Sequence, residues 1–132
     1  MKKRVKAAAL TLCILAIACL GIFLWMTNAA QEQLASMVYE DYDMALVADG
    51  VHYGETDAGL VFVRVAVLVK DHAIEEIDIV EHRNGMGSAA ESLAREIAEK
   101  NDCAVDAVSG ATLSSEAIKS AVRRALSAGQ AR

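Results

Sequence analysis

Residues 106–115 read DAVSGATLSS and set four hydroxyl side chains, Ser109, Thr112, Ser114 and Ser115, around a single Gly-Ala step. Two kinds of chemistry fit that spacing. Gly110 and Ala111 are small enough to let a bulky group come close to the backbone. Thr112 falls where the following apolar pattern starts a helix, so a phosphate on its hydroxyl would meet unpaired amides and the positive end of the helix dipole. The plainer alternative makes Thr112 or Ser114 the N-cap of that helix, the commonest job for such a residue. On local pattern alone the capped turn is favoured, with Thr112 as a chemical handle its rival.

A second candidate is the loop HRNGMGSAAE, residues 82–91, where Gly85 and Gly87 precede a helix start that could attract an anion. A bare GxG is weak, and a strand-to-helix turn explains it equally well. His82 ends a strand just ahead of these glycines and either faces a site or is a polar strand end. Elsewhere the chain has no GxSxG, HExxH, P-loop or dinucleotide fingerprint. Its histidines, His52, His72 and His82, sit on separate elements, and His72 belongs to a solvated turn. Glu75, Glu76, Asp78 and Glu81 read as the wet face of a strand. Cys103 is the only cysteine outside the N-terminal apolar run. It has no partner to form a disulfide with and is read as a small buried apolar residue.

The elements that must hold these residues follow from periodicity. LVFVRVAVLVK, residues 60–70, alternates valines at 61, 63, 65, 67 and 69 and reads as a strand with one buried face. A tight connection at Asp71-His72-Ala73 leads into a second strand, residues 74–82, which predicts an antiparallel hairpin. A shorter strand precedes them at 51–54, after the Asp49-Gly50 turn. Apolar residues at 89, 90, 93, 94, 97 and 98 predict a helix over 88–100, ended by Asn101-Asp102. Residues 105–111 read as extended, and a last helix runs from about 113 to 128. The expected fold class is α+β, a small antiparallel sheet with two helices packed on it, preceded by one transmembrane helix.

That transmembrane helix is AAALTLCILAIACLGIFLWM, residues 7–26, a run of 20 without a charge. At about 1.5 Å per residue it spans roughly 30 Å, the thickness of a bilayer core. A cleaved signal usually has an apolar run of only about 7–15 residues, although Asn28-Ala29-Ala30 offers a peptidase small side chains. Lys2, Lys3, Arg4 and Lys6 precede the run, so residues 1–6 are expected to stay in the cytoplasm and the rest to lie outside. With those four removed from thirteen basic residues, nine remain against eighteen acidic ones, a formal charge of −9. Such a balance argues against nucleic acid or anionic lipid surfaces as partners. Residues 27–44 read as a juxtamembrane helix or stalk, 45–128 as the folded domain and 129–132 as a tail.

The segment Asp106, Ala107, Val108, Ser109, Gly110, Ala111, Thr112 resembles the flavinylation motif of the FMN-binding domain family: Asp, two variable positions, Ser or Thr, then Gly-Ala-Thr or Gly-Ala-Ser. The DGVHYGE turn, the valine-alternating strand, EHRNGMGSAAE and SSEAIKSAV resemble the rest of that domain, over roughly residues 46–128. The resemblance tips the choice at Thr112 from cap to handle. It implies FMN joined through its phosphate to the Thr112 hydroxyl, installed from FAD by a Mg²⁺-dependent flavin transferase. Ser109, Gly110 and Ala111 would form the turn that the transferase reads, and Asp106 would open the motif. His82, Gly85 and Gly87 would be further flavin-binding candidates. Family members include flavin subunits of sodium-pumping NADH:quinone oxidoreductases and free-standing membrane-anchored carriers. The short domain, and Asp57-Ala58-Gly59-Leu60 where pump subunits have a glycine-aromatic run, point to the second kind. The implied role is an electron carrier rather than a complete enzyme, with redox partners that are quinone-linked or extracellular. Non-covalent FMN binding and a cofactor-free interaction module are the alternatives.

Overall fold

The computed structural model describes residues 1–85 and 87–130. The chain forms two compact units, residues 1–32 and 33–132. The first is the greater part of a single helix, α1 (Lys2–Ser36), whose last turn belongs to the second unit. Its stretch Val5–Ser36 is long and apolar enough to cross a membrane and buries none of its apolar side chains within the protein. A helix suits lipid because every interior backbone group is bonded within the segment. Over the juxtamembrane segment 27–44, α1 continues without a break to Ser36, and an irregular segment then leads to a 3₁₀ turn at Met44–Leu46.

In the second unit three strands, β1 (Gly50–Asp57), β2 (Phe62–Lys70) and β3 (Ala73–Arg83), form an antiparallel sheet in the order β1-β2-β3. The valine row of β2 supplies the centre of the core, Val63, Val65 and Val67 being fully buried and Val69 nearly so. Asp71 and His72 both take positive φ, 51° and 59°, as a two-residue type I′ hairpin requires. The helices α2 (Ser92–Lys100) and α3 (Thr112–Ala128) cover that one face, α3 over β1 and β2 and α2 over β3. α3 presents Ala117, Ile118, Ala121, Val122, Ala125 and Leu126 to the valines. It approaches β1 so closely that a Cβ on Gly54 would run into the Ala121 carbonyl and lie 2.6 Å from the Ala125 amide.

Three expectations from periodicity need correction. β3 does not keep a period of two: its pairing with β2 slips between Arg64 and Val65 and again between Leu68 and Val69. Each slip is a bulge that reverses which face the next residue meets. Ile74 and Ile77, three positions apart, therefore both turn inward, and Glu75 and Glu76 are consecutive exposed residues. The helix expected over 88–100 is a 3₁₀ turn, Ser88–Glu91, followed by α2. Residues 105–111 make no strand. They are irregular and close a turn at Ser109-Gly110. α2 stops where Asn101 adopts a left-handed φ of 52°, with Asn101 and Asp102 amides donating to the Ala98 and Ile97 carbonyls. This is a Schellman end with asparagine in the place usual for glycine.

Candidate functional site

The turn in DAVSGATLSS is built from residues 108–111. The Ala111 amide donates to the Val108 carbonyl at 2.9 Å, and Gly110 sits at φ +79° in the third position, which only glycine or asparagine takes comfortably. Ser115, fully buried in the first turns of α3, clamps it. Its hydroxyl donates to the Ala111 carbonyl at 2.7 Å and accepts from the Val108 amide at 2.9 Å. One turn further along, Lys119 Nζ donates to the Val105 carbonyl at 3.1 Å and pairs with Glu116 at 2.7 Å. The whole segment 105–111 is thus tied down by side chains of the helix that follows it.

Neither Thr112 nor Ser114 caps α3. The N-cap position belongs to Ala111, which offers no side-chain acceptor, and Thr112 is the first helical residue. The first helical bond runs from the Ser115 amide to the Ala111 carbonyl, leaving the amides of Thr112, Leu113 and Ser114 without an intrahelical acceptor. The Thr112 side chain is exposed and makes no hydrogen bond among the described residues, while Ser109 and Gly110 are exposed beside it. The four hydroxyls therefore divide into two pairs. Ser114 and Ser115 are buried and hold the structure; Ser109 and Thr112 face out. A phosphoester at Thr112 fits this arrangement, because the hydroxyl is free and an uncapped helix start favours a negative charge. Asp106 is exposed on the irregular segment, three residues before Ser109.

The glycine loop meets the same helix turn. The bulge after Ile79 sets His82, rather than Glu81, opposite Val63 on the covered face of the sheet. There the His82 side chain is 2% exposed, with Nδ1 3.0 Å from Glu91 Oε1 and Nε2 3.1 Å from Ser114 Oγ. Gly87 packs against the same serine: a Cβ there would overlap Ser114 Oγ and come within 2.7 Å of its Cβ. Asn84 braces the loop by accepting from the Gly87 amide at 2.9 Å. Gly85 is exposed and nothing stands near its missing Cβ, so no contact demands a glycine there. Of the residues singled out in the sequence, His82 and Gly87 come together beneath Thr112's helix turn, and Gly85 does not join them. Ser114, Ser115, Glu91 and Lys119 are the participants that motif reading missed as structural members. For the two serines the only sequence signal was the surplus of hydroxyls, and for Glu91 and Lys119 there was none.

Away from this site, Cys103 is buried, and burial pushes its thiol above the ordinary range, so it stays protonated and unreactive near neutral pH. Its amide donates to the Tyr42 hydroxyl at 3.3 Å. Desolvation, with the contact to Cys103 second, pushes the Tyr42 phenol up to about 12.

No curated protein and no solved structure gives a significant match to the chain. A family model described as the FMN-binding domain matches residues 58–127, which takes in β2, β3, α2, the 105–111 segment and nearly all of α3. That span is more than half of the 132 residues and contains the whole turn, so the chain belongs to the FMN-binding domain family and has both a flavin-binding domain and an apolar helix compatible with a membrane anchor.

Proposed function

We propose that this protein is a membrane-anchored, extracytoplasmic flavoprotein that carries FMN in a phosphoester bond to Thr112 and relays electrons. The observation that carries the reading is the free, exposed Thr112 hydroxyl on the first residue of an uncapped helix, behind a turn fixed by buried side chains. In the attachment reaction Thr112 Oγ1 forms a bond to the phosphorus of the FMN half of FAD. The pyrophosphate bond breaks, AMP leaves, and a base of the flavin transferase takes the hydroxyl proton. Mg²⁺ belongs to the transferase. The exposed Ser109 and Gly110 are the surface the transferase reads, with Asp106 at the edge of that surface.

Bound flavin supplies one- and two-electron chemistry, and the protein supplies position and charge. A covalent tether suits a carrier outside the cell, where a dissociated cofactor would be lost. The basic cluster at residues 2–6 supports an inward N-terminus and an outward domain. The acidic excess of that domain favours redox partners with a basic docking face and disfavours nucleic acid.

The test is the intact mass of the full chain coexpressed with a flavin transferase, beside Thr112→Ala and Thr112→Ser. The expected result is a gain equal to FMN less one water in the parent chain and in Thr112→Ser, with none in Thr112→Ala. An unmodified parent chain, under conditions where the transferase modifies a control substrate, refutes the covalent reading. Flavin colour that is lost on denaturation would then establish non-covalent binding.

A further inference from the structure

The chain Glu91–His82–Ser114, buried at His82 and Ser114 and half-exposed at Glu91, does more than fill space. A carboxylate only accepts hydrogen bonds, so Glu91 Oε1 at 3.0 Å fixes the proton of the neutral imidazole on Nδ1. Nε2 is then the acceptor, and the Ser114 hydroxyl must donate to it across 3.1 Å. Ser114 has a second neighbour in Gly87, whose lack of a side chain lets the loop close on it. No titratable group of β2 stands opposite His82, its partner there being Val63. The charged residues of α3 nearest this turn, Glu116 and Lys119, are paired with one another. On β3 itself Glu81 pairs with Arg83 at 3.2 Å. Among the described residues Glu91 is thus the one charged side chain bonded to the ring. The bulge in β3 spends a ladder position to aim this ring at the first turn of α3, two residues from Thr112.

We propose that His82 is a positioning residue for the reaction at Thr112: held by Glu91 and accepting from Ser114, it pins the first turn of α3 to the β3–α2 loop and so fixes where the Thr112 hydroxyl is presented. The inference rests on the flavinylation reading for its consequence, but its geometry is testable without flavin. Glutamine is long enough to put a carbonyl oxygen where Nε2 sits and keep the Ser114 bond. Asparagine reaches only the Nδ1 position and keeps the Glu91 side alone.

The experiment uses the full chain in detergent micelles, as the parent, His82→Gln, His82→Asn and Ser114→Ala. Imidazole ¹⁵N resonances of the parent report which ring nitrogen carries the proton. Amide exchange is followed at Ser115, the first amide of α3 bonded within the helix, and the initial rate of FMN transfer to Thr112 is measured with a flavin transferase, FAD and Mg²⁺. The expected outcome is the Nδ1–H tautomer, with first-turn exchange faster by about tenfold in His82→Asn and Ser114→Ala, as expected for one lost hydrogen bond to a charge-held ring. His82→Gln should stay near the parent. Transfer rates should fall in the same two variants and be rescued by glutamine. An Nε2–H tautomer in the parent overturns the proposal, as does equal exchange in the asparagine and glutamine variants. If the parent accepts no flavin, the reading of the site fails, and the tautomer and exchange results still decide what His82 does.

Discussion

Replacing Ser115 by alanine should uncouple two roles that the hydroxyl-rich motif combines. Ser115 Oγ closes the turn with one donated bond of 2.7 Å and one accepted bond of 2.9 Å. Without it the Ala111 carbonyl keeps the Ser115 amide as a donor, so that loss is partial. The Val108 amide, half-buried, has no replacement. An unpaired buried amide costs about 1–3 kcal/mol, and the total should be about 2 kcal/mol. For a unit of this size each kcal/mol moves the melting temperature by about 4–8 °C, so a fall of about 10 °C is expected. Thr112→Ala removes a hydroxyl with no partner among the described residues, at a position that suits alanine, and should change stability by less than about 0.5 kcal/mol. The assay is calorimetry or near-ultraviolet circular dichroism of the full chain in detergent, because α1 would dominate a far-ultraviolet signal. FMN incorporation is measured on the same samples. Ser115→Ala should be less stable yet still accept flavin slowly; Thr112→Ala should be as stable as the parent and accept none. Equal melting temperatures for Ser115→Ala and the parent would refute the division of the four hydroxyls into a brace and a handle.

Gly54→Ala should lower stability by about 3 kcal/mol or more, since the added methyl meets backbone atoms of α3 that have no room to yield; a urea titration of the domain signal measures it. Asn101 serves twice, in its left-handed conformation and through a 2.8 Å bond from the Ile74 amide to its Oδ1. Asn101→Gly should therefore cost only the bond, about 1 kcal/mol, and Asn101→Ala about 1 kcal/mol more, a ranking that equal melts for the two would contradict. Alkaline pH should destabilise the domain. Cys103 and Tyr42 have folded values above their ordinary 9.0 and 10.0, so the unfolded chain loses protons first and stability present below pH 9.0 falls as pH rises towards about 12. In a melting series against pH, Tyr42→Phe should flatten the upper part of that fall.

The sheet and both covering helices were legible because their apolar residues keep simple periods. Five valines at alternate positions leave β2 one possible buried face, and Leu93, Ala94 and Ile97 do the same for α2. The turn at 109–110 was legible through Gly110 and the hydroxyls around it. What periodicity could not supply was parity across the bulges of β3. Nothing in IEEIDIVEHR says that pairing skips a residue twice, because a bulge is settled by how α2 and α3 fill the space over the sheet. An uninterrupted count from Ile77 and Ile79 sends Glu81 inward and His82 out. The observed slip does the reverse, which is why His82 was left open between a strand end and a site. The 3₁₀ start of the 88–100 helix was hidden for a related reason: Ala89 and Ala90 suit either helix type, and the choice follows from where Gly87 lets the chain sit on Ser114.

The same point explains why a motif of this kind misleads when read by composition. Serine and threonine at a helix start are favoured as caps because they satisfy the free amides, and a search for caps finds them here in excess. In the folded chain the residue at the N-cap position is alanine, among the poorest choices for the job, while the serines that could have folded back are held elsewhere. Ser114 is engaged by His82, and Ser115 by Val108 and Ala111. Replacing Ala111 by an effective cap would gain about 1 kcal/mol in an ordinary helix. The chain forgoes that stability at the helix end where the exposed Thr112 hydroxyl stands. Local rules are broken most often where a structure must leave room for a ligand, and the broken rule here is the missing cap beneath Thr112.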